Sequence, residues 1–156
     1  MPETSQLTQE TAIAFAFLGG EKTFAHPVCT DLEAHDMLLQ GMPSSALLHL
    51  AVTVPLLNDE ANLDKAIGIS LRTLQRRKND GADAVLSVDQ SSRTWKFAQI
   101  LGRATTIFGS KQAAMDWLTQ PAIGLSQRKP LDLLATSVGV SAVEDCLTRI
   151  DYGVYA

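Results

Sequence analysis

The chain has 156 residues, of which 46% are hydrophobic and 19% are charged, and its formal net charge is −4. This length supports one globular domain or two small ones. The acidic balance excludes a protein that coats nucleic acid through its whole surface, and no apolar run approaches the ~18–20 residues of a membrane-spanning helix.

Cysteine usage and the start of the chain point to a cytoplasmic protein. Neither a basic segment nor a small-residue cleavage site flanks the apolar residues 12–18, so we predict no secretion signal. Cys29 and Cys146 lie far apart in the sequence, which is typical of unpaired thiols in a reducing compartment rather than of a disulfide scaffold. We therefore expect cytoplasmic localisation and no association with a membrane.

The chain is predicted to be all-α, because no segment shows the alternating apolar pattern of a strand. Glycines, prolines and N-terminal capping residues divide it into segments with helical periodicity. The predicted helices of the first two thirds are residues 12–18, 31–40, 44–54, 60–67, 71–78 and 88–107. The polar residues 1–9 offer little apolar surface to offset the entropy of ordering, so we expect them to be frayed.

Two of these helices have the pattern of a helix-turn-helix. Gly68 tolerates the positive φ that a tight corner needs, and Ser70 can cap the second helix. Leu71 and Leu74 are predicted to pack inward, and a basic, hydroxyl-bearing face is predicted on the opposite side. The residues predicted to bind DNA are Ser70, Arg72, Thr73, Arg76 and Arg77. Arginine can bind guanine or phosphate, and hydroxyl groups can donate to phosphate oxygens.

The same basic face also has a plain structural interpretation, in which the arginines are only solvated. The corner glycine and the flanking apolar residues occur together with the basic face, and this combination favours DNA recognition. The segment resembles the helix-turn-helix of Xre-type repressors. Asp64 is a departure, because a small residue such as alanine usually packs at this position in that motif. Its carboxylate either points to solvent or weakens the motif, and it could repel phosphate.

The last third of the chain is predicted to fold as a compact helical module. Glycines and prolines separate its helices, and hydroxyl-bearing residues cap them. One helix ends before Pro121, and a short one begins at Pro130, where a first turn tolerates the missing N–H. Gly139 is predicted to end that short helix. Ser141 and Glu144 have capping-box spacing, which predicts that the last helix begins there.

A run of residues in this module occurs in a distinctive order and at close spacing. The run consists of Phe108-Gly109, Ala114, Trp117-Leu118, Pro121, Pro130-Leu131-Asp132-Leu133-Leu134, Thr136, Gly139, Val143, Leu147, Ile150 and Gly153. It resembles the toxin-binding domain of the Xre/MbcA/ParS antitoxin family. Residues 124–127 depart from the family pattern, since members often carry a second glycine there.

The resemblance implies a division of the chain and a function for each part. Residues 1–42 would be an N-terminal helical region, residues 43–86 a helix-turn-helix DNA-binding domain, and residues 87–156 a linking helix with the toxin-binding domain. The protein would be the antitoxin of a type II toxin–antitoxin pair, and its partner a RES-domain toxin that degrades NAD. The antitoxin would cover the active site of the toxin and repress its own operon by binding operator DNA. We expect a homodimer, because one short recognition helix reads too few base pairs to be selective.

The C-terminal tail is the segment expected to contact the toxin. The candidate residues are Arg149, Asp151, Tyr152, Tyr155 and Ala156. Exposed aromatic residues at a chain end often anchor in a partner's pocket. Asp151 and the terminal carboxylate could stand in for substrate phosphates against basic groups of the toxin. In the alternative interpretation the tail folds back on its own domain.

The sequence is also compatible with other functions. The chain could be a helix-turn-helix transcriptional repressor with a C-terminal dimerisation or effector domain and no toxin partner, or a protein-interaction adaptor whose helix-turn-helix is vestigial. His26, Cys29 and His35 do not complete the four-ligand set of a structural zinc site, so no metal is expected. A cysteine nucleophile paired with His49 has no local signature. We expect neither a cofactor nor an enzymatic activity.

Overall fold

The computed structural model describes residues 2–81 and 84–153, and this part of the chain contains eight α-helices. They are α1 (Pro2–Phe17), α2 (Asp31–Gln40), α3 (Ser44–Thr53), α4 (Glu60–Ala66), α5 (Leu71–Asn79), α6 (Val88–Phe108), α7 (Lys111–Leu118) and α8 (Ser137–Asp151). Short 3-10 helices occupy Gly20–Lys22, Pro55–Asn58, Ile123–Leu125 and Pro130–Leu133. Within the described ranges, β-structure is limited to isolated bridges. The all-α prediction is confirmed.

Helix α6 is the axis of the fold. Ser87 Oγ accepts the N–H of Gln90 at 3.1 Å, and the Gln90 side chain accepts the N–H of Ser87 at 3.3 Å. This capping box fixes the start of the helix. Helices α1, α2, α4, α7 and α8 all pack against α6. The helix therefore joins the front of the chain to its last third.

One continuous hydrophobic core runs through the whole molecule, from residue 14 to residue 147. Trp95, Ala98 and Leu101 of α6 are part of it and are buried. Phe97 and Ile100 of the same helix are buried as well. Helix α6 is thus covered on more than one side, as expected for the central element of a helical bundle.

Helix α1 begins at Pro2, so the prediction that this helix starts at residue 12 is wrong. The C-terminal part of this segment is anchored in the core, where Thr11, Ala14 and Leu18 are buried. Extending an existing helix fixes one residue per hydrogen bond, whereas starting a helix fixes several at once. Tertiary packing of residues 11–18 therefore nucleates helix α1, and the polar residues that precede them extend it.

Helix α8 begins at Ser137, and the prediction that Gly139 ends a helix is wrong. Thr136 Oγ1 accepts the N–H of Gly139 at 3.0 Å, so Thr136 rather than Ser141 is the N-cap. A Cβ on Gly139 would overlap the carbonyl oxygen of Leu133. Glycine therefore serves here for close packing of two backbone segments and does not break a helix.

No helix within the described ranges is both long enough and apolar enough to cross a membrane.

The two cysteines are free thiols, of which Cys29 is exposed and Cys146 is buried. Burial raises the pKa of the Cys146 thiol, which keeps it in the poorly nucleophilic protonated form.

Candidate functional site

Helices α4 and α5 follow one another as the predicted helix-turn-helix requires. The turn between them occupies residues 67–70. Gly68 has φ +82°, a conformation that glycine adopts without steric strain. Leu63, Ile67 and Ile69 are buried beside the turn and hold the corner on the core.

Hydroxyl groups fix the start of α5. Ser70 Oγ accepts the N–H of Thr73 at 3.1 Å and lies 3.0 Å from Thr73 Oγ1. The two hydroxyl groups carry two protons, and their mutual hydrogen bond uses one of them. The other is available to a phosphate oxygen or a base edge at the N-terminus of α5, where the helix dipole favours an anion.

The outer face of α5 carries basic and amide groups. Arg72 and Arg76 are exposed, as predicted. Gln75 is exposed as well, although it is not among the residues predicted to bind DNA. A step of about 100° per residue places Gln75 about 60° from Arg72, on the same side of the helix. Guanidinium and carboxamide groups can both form paired hydrogen bonds with base edges, so Gln75 extends the candidate surface.

Arg77 does not lie on this face. Its side chain is only 23% exposed, and its Nη1 lies 3.9 Å from Asp80 Oδ2. Arg77 is about 140° around the helix from Arg72, which points it toward the body of the protein. The prediction that Arg77 shares the exposed face of Arg72 and Arg76 is wrong, and the helical angle contained the information needed to see this.

Arg93 of α6 contacts the end of α4 and the turn that follows it. Its Nη2 donates to the carbonyl oxygen of Lys65 at 2.9 Å and to that of Asp64 at 3.4 Å. Its guanidinium also occupies the space that a Cβ on Gly68 would need. The Asp64 side chain is exposed, so it points to solvent and leaves the packing of the turn intact. No local sequence pattern marks Arg93, because its partners are backbone carbonyls 28 and 29 residues away.

In the C-terminal module, Arg103 of α6 fastens helix α8. Its Nη2 donates to Thr148 Oγ1 at 2.6 Å, and its Nη1 donates to the Glu144 carbonyl oxygen at 3.3 Å. Its Nε lies 3.5 Å from the carboxylate of Glu10 in α1. Burial raises the pKa of Glu10, and the charge of Arg103 opposes that shift. These contacts fix the direction of the helix whose C-terminal end carries the predicted toxin contacts.

The C-terminal end of α8 is exposed. Arg149 and Asp151 are exposed, and the side chain of Tyr152 is 76% exposed. The ring of Tyr152 is therefore open to solvent. Tyr155 and Ala156, also predicted to contact the toxin, lie outside the described residues.

A loop of the module presents a further apolar side chain that the sequence analysis missed. Ile123 is 76% exposed. Backbone hydrogen bonds cross-link its loop, from the Ala122 N–H to the Arg128 oxygen at 3.0 Å and from the Gln127 N–H to the Ala122 oxygen at 2.9 Å. Ser126 and Gln127 have φ +55° and +65°. Left-handed backbone costs about 1–2 kcal/mol for a residue other than glycine, and the hydrogen bonds across the loop offset this cost.

The described residues do not form a metal centre. No group of three or more histidine, cysteine, aspartate or glutamate side chains within residues 2–81 and 84–153 is arranged to hold a metal ion. His49 lies beside Ile13, Phe17 and Lys111 in a cavity of about 330 Å³, and neither cysteine lines that cavity. The geometry thus concentrates the candidate chemistry in two surfaces, the outer face of α5 and the exposed parts of the C-terminal module.

Comparison with known proteins gives the family. Residues 103–153 match the family model described as the antitoxin Xre/MbcA/ParS C-terminal toxin-binding domain. Over 110 residues, covering 70% of each chain, the sequence is 32% identical to a protein named antitoxin Xre from Yersinia enterocolitica. The chain belongs to the Xre antitoxin family.

Two other relatives with the same name show how far the family likeness extends. The antitoxin Xre of Pseudomonas putida is 31% identical over 129 residues, which cover 81% of this chain and 76% of the relative. That of Photorhabdus laumondii is 30% identical over 88 residues, which cover 56% and 58% of the two chains. An alignment over 81% of the chain has to include α4 and α5. The likeness to Xre antitoxins therefore includes the helix-turn-helix segment as well as the toxin-binding module.

Proposed function

We propose that this protein neutralises a RES-domain toxin that degrades NAD, and that it does so by covering the active site of the toxin. The observation that carries the proposal is the match of residues 103–153 to the toxin-binding domain of the family. The RES class of the toxin follows from the family resemblance alone. On this proposal the protein is the antitoxin of a type II toxin–antitoxin pair.

The exposed groups of the module suggest how the contact would be made. Tyr152 and Ile123 are large side chains held out in solvent, and desolvating such anchors supplies most of the energy of many interfaces. Arg149 and Asp151 stand next to Tyr152 at the end of α8 and would pair with polar groups of the toxin. Asp151 would take the place of a substrate phosphate.

Co-expression tests this proposal. The toxin gene adjacent to this one is expressed alone, with the wild-type chain, and with a chain lacking residues 152–156, while growth and cellular NAD are measured. We expect the wild type to protect both and the truncated chain to lose protection. Val52→Ala is the matched control, because Val52 is 79% exposed but lies on α3, outside the module. If the truncated chain still protected fully, the tail would not be part of the inhibitory contact.

We further propose that the protein represses its own operon. The outer face of α5, with Arg72, Gln75 and Arg76, would enter the major groove of the operator. Phosphate contacts by Arg72 and Arg76 would supply the affinity. The side-chain amide of Gln75 and the free hydroxyl of the Ser70–Thr73 pair would add contacts to base edges. A homodimer would place two such helices on two half-sites, which gives the selectivity that one helix lacks.

A further inference from the structure

Helix α2 presents an apolar face to solvent. Leu32 is 77% exposed and Leu39 is 58% exposed. These residues are two helical turns apart and therefore lie on the same side of the helix. His35 and Asp36 are also exposed and lie between them. Ala34, on the opposite side, is buried, so the four exposed residues form the outward face of the helix.

This outward face is held in a defined position. Thr30 Oγ1 accepts the N–H of Glu33 at 3.1 Å, and the Glu33 carboxylate accepts the N–H of Cys29 at 2.8 Å. Helix α2 also packs on α6. A surface that is already ordered loses little conformational entropy when a partner docks on it.

The order of residues on this face is symmetric. The sequence Leu-x-x-His-Asp-x-x-Leu reads the same from either end, except that His35 and Asp36 exchange places. When two copies of α2 pair antiparallel about the midpoint of this sequence, Leu32 faces Leu39 of the second copy. His35 then faces Asp36 of the second copy, and its imidazole N–H can donate to that carboxylate. A two-fold interface requires this kind of self-complementarity, because the same patch supplies both sides.

We infer that the face formed by Leu32, His35, Asp36 and Leu39 is where a second copy of this chain docks, through an antiparallel contact between the two α2 helices. The apolar pairs and the imidazole–carboxylate pairs are both formed in the same two-fold arrangement. The inference rests on the proposed homodimer and adds its interface. It uses none of the residues assigned to DNA or to the toxin.

Sedimentation equilibrium of the purified full chain over a range of concentrations tests the apolar part. We expect the wild type to dimerise and Leu39→Glu to raise the dimer Kd by at least about 100-fold, because the lost leucine occurs at two symmetric places in the dimer. Val52→Glu is the matched control, since Val52 is an exposed apolar residue on α3, outside the proposed face. We expect its Kd to stay within about twofold of the wild type, as for a substitution outside the interface. Circular dichroism checks that each variant is folded.

A charge exchange tests the antiparallel register. His35→Asp places two carboxylates against each other at both pairs and is expected to weaken the dimer about tenfold. Adding Asp36→His to it restores an imidazole–carboxylate pair in the same geometry and is expected to restore the dimer. A wild type that stays monomeric overturns the dimer itself, whereas a dimer indifferent to Leu39→Glu and His35→Asp overturns only this interface. Failure of the double variant to recover overturns the register, and loss of toxin binding without loss of the dimer assigns the face to the toxin instead.

Discussion

Arg93 supports the helix-turn-helix corner through a single side chain. The last carbonyl groups of a helix have no partner within that helix, and the planar fork of a guanidinium can bind two of them at once. Arg93 reaches the carbonyl oxygens of Asp64 and Lys65 and also covers Gly68. The side chain thereby ties the end of α4 and the turn to α6.

Substitution of Arg93 is expected to affect both stability and DNA binding. Arg93→Ala removes hydrogen bonds from a charged donor and should lower the free energy of unfolding by about 1.5–3 kcal/mol. It should also weaken operator binding at temperatures where the protein is still folded, because the corner loses its support. Arg93→Lys should recover part of both effects, since an ammonium group can still donate to one carbonyl. Urea denaturation and mobility shift measure the two effects.

The control for this prediction is Arg128→Ala, which removes an exposed arginine from the loop of the C-terminal module. We expect it to leave the free energy of unfolding within about 0.5 kcal/mol and operator binding unchanged. If Arg93→Ala behaved like this control, the corner would not depend on Arg93.

Helix α5 separates into two sides that should respond differently to substitution. Arg72 and Arg76 are exposed, whereas Arg77 is turned inward beside Asp80. On the proposed function, Arg72→Ala with Arg76→Ala should weaken operator binding by at least about tenfold. The double variant should also make affinity depend less steeply on salt concentration. Each phosphate contact that is lost lowers the number of counterions released on binding by about one.

Arg77→Ala is the comparison for this prediction. It removes the same charge from the same helix but from a side chain that lies off the outer face. We expect its salt dependence to equal that of the wild type in mobility shifts across a salt series. Unchanged binding of the double variant would exclude the outer face of α5 from the DNA interface.

At the scale of the whole molecule, the helix-turn-helix and the toxin-binding module share one core. Helix α4 packs on the 3-10 helix Pro130–Leu133, and Lys65 Nζ lies 2.7 Å from Asp132 Oδ1. Leu131 in the same segment is 2% exposed. The two candidate surfaces therefore belong to one packed body, and their relative orientation is set by buried side chains.

Loss of buried volume at this junction should destabilise both parts together. Leu131→Ala is expected to lower the free energy of unfolding by about 2–5 kcal/mol, as for other buried leucines. Amide exchange should speed up alike in α4 and in α8. Asp132→Asn is the matched control at the neighbouring position, and because its ion pair is exposed it should cost less than about 1 kcal/mol. Faster exchange confined to α8 would show two independently folding parts.

The sequence alone was sufficient to predict features that depend on near neighbours. Ser70, the N-cap predicted for α5, accepts the N–H of the residue three positions later, and four other helices are capped in the same way, by Thr30, Asp59, Ser87 and Ser110. The all-α class, the positive φ at the corner glycine and the exposed positions of Arg72 and Arg76 are also confirmed. Each of these follows from hydrogen bonds and periodicity within one or two helical turns.

The DNA contacts, the RES class of the toxin and the homodimer stay predictions. They concern molecules other than the single chain, and its sequence and fold limit the chemistry of a partner without identifying it.

Tertiary structure decided what depends on residues distant in sequence. Packing on α6 is what holds α1 in a helix, and contact with Leu133 is what makes Gly139 a packing residue rather than a helix end. The support of the corner by Arg93 and the left-handed loop that presents Ile123 likewise have no local signature. Local patterns report the energy of one segment, whereas these features exist because separate segments exclude water and satisfy each other's backbone groups when they meet.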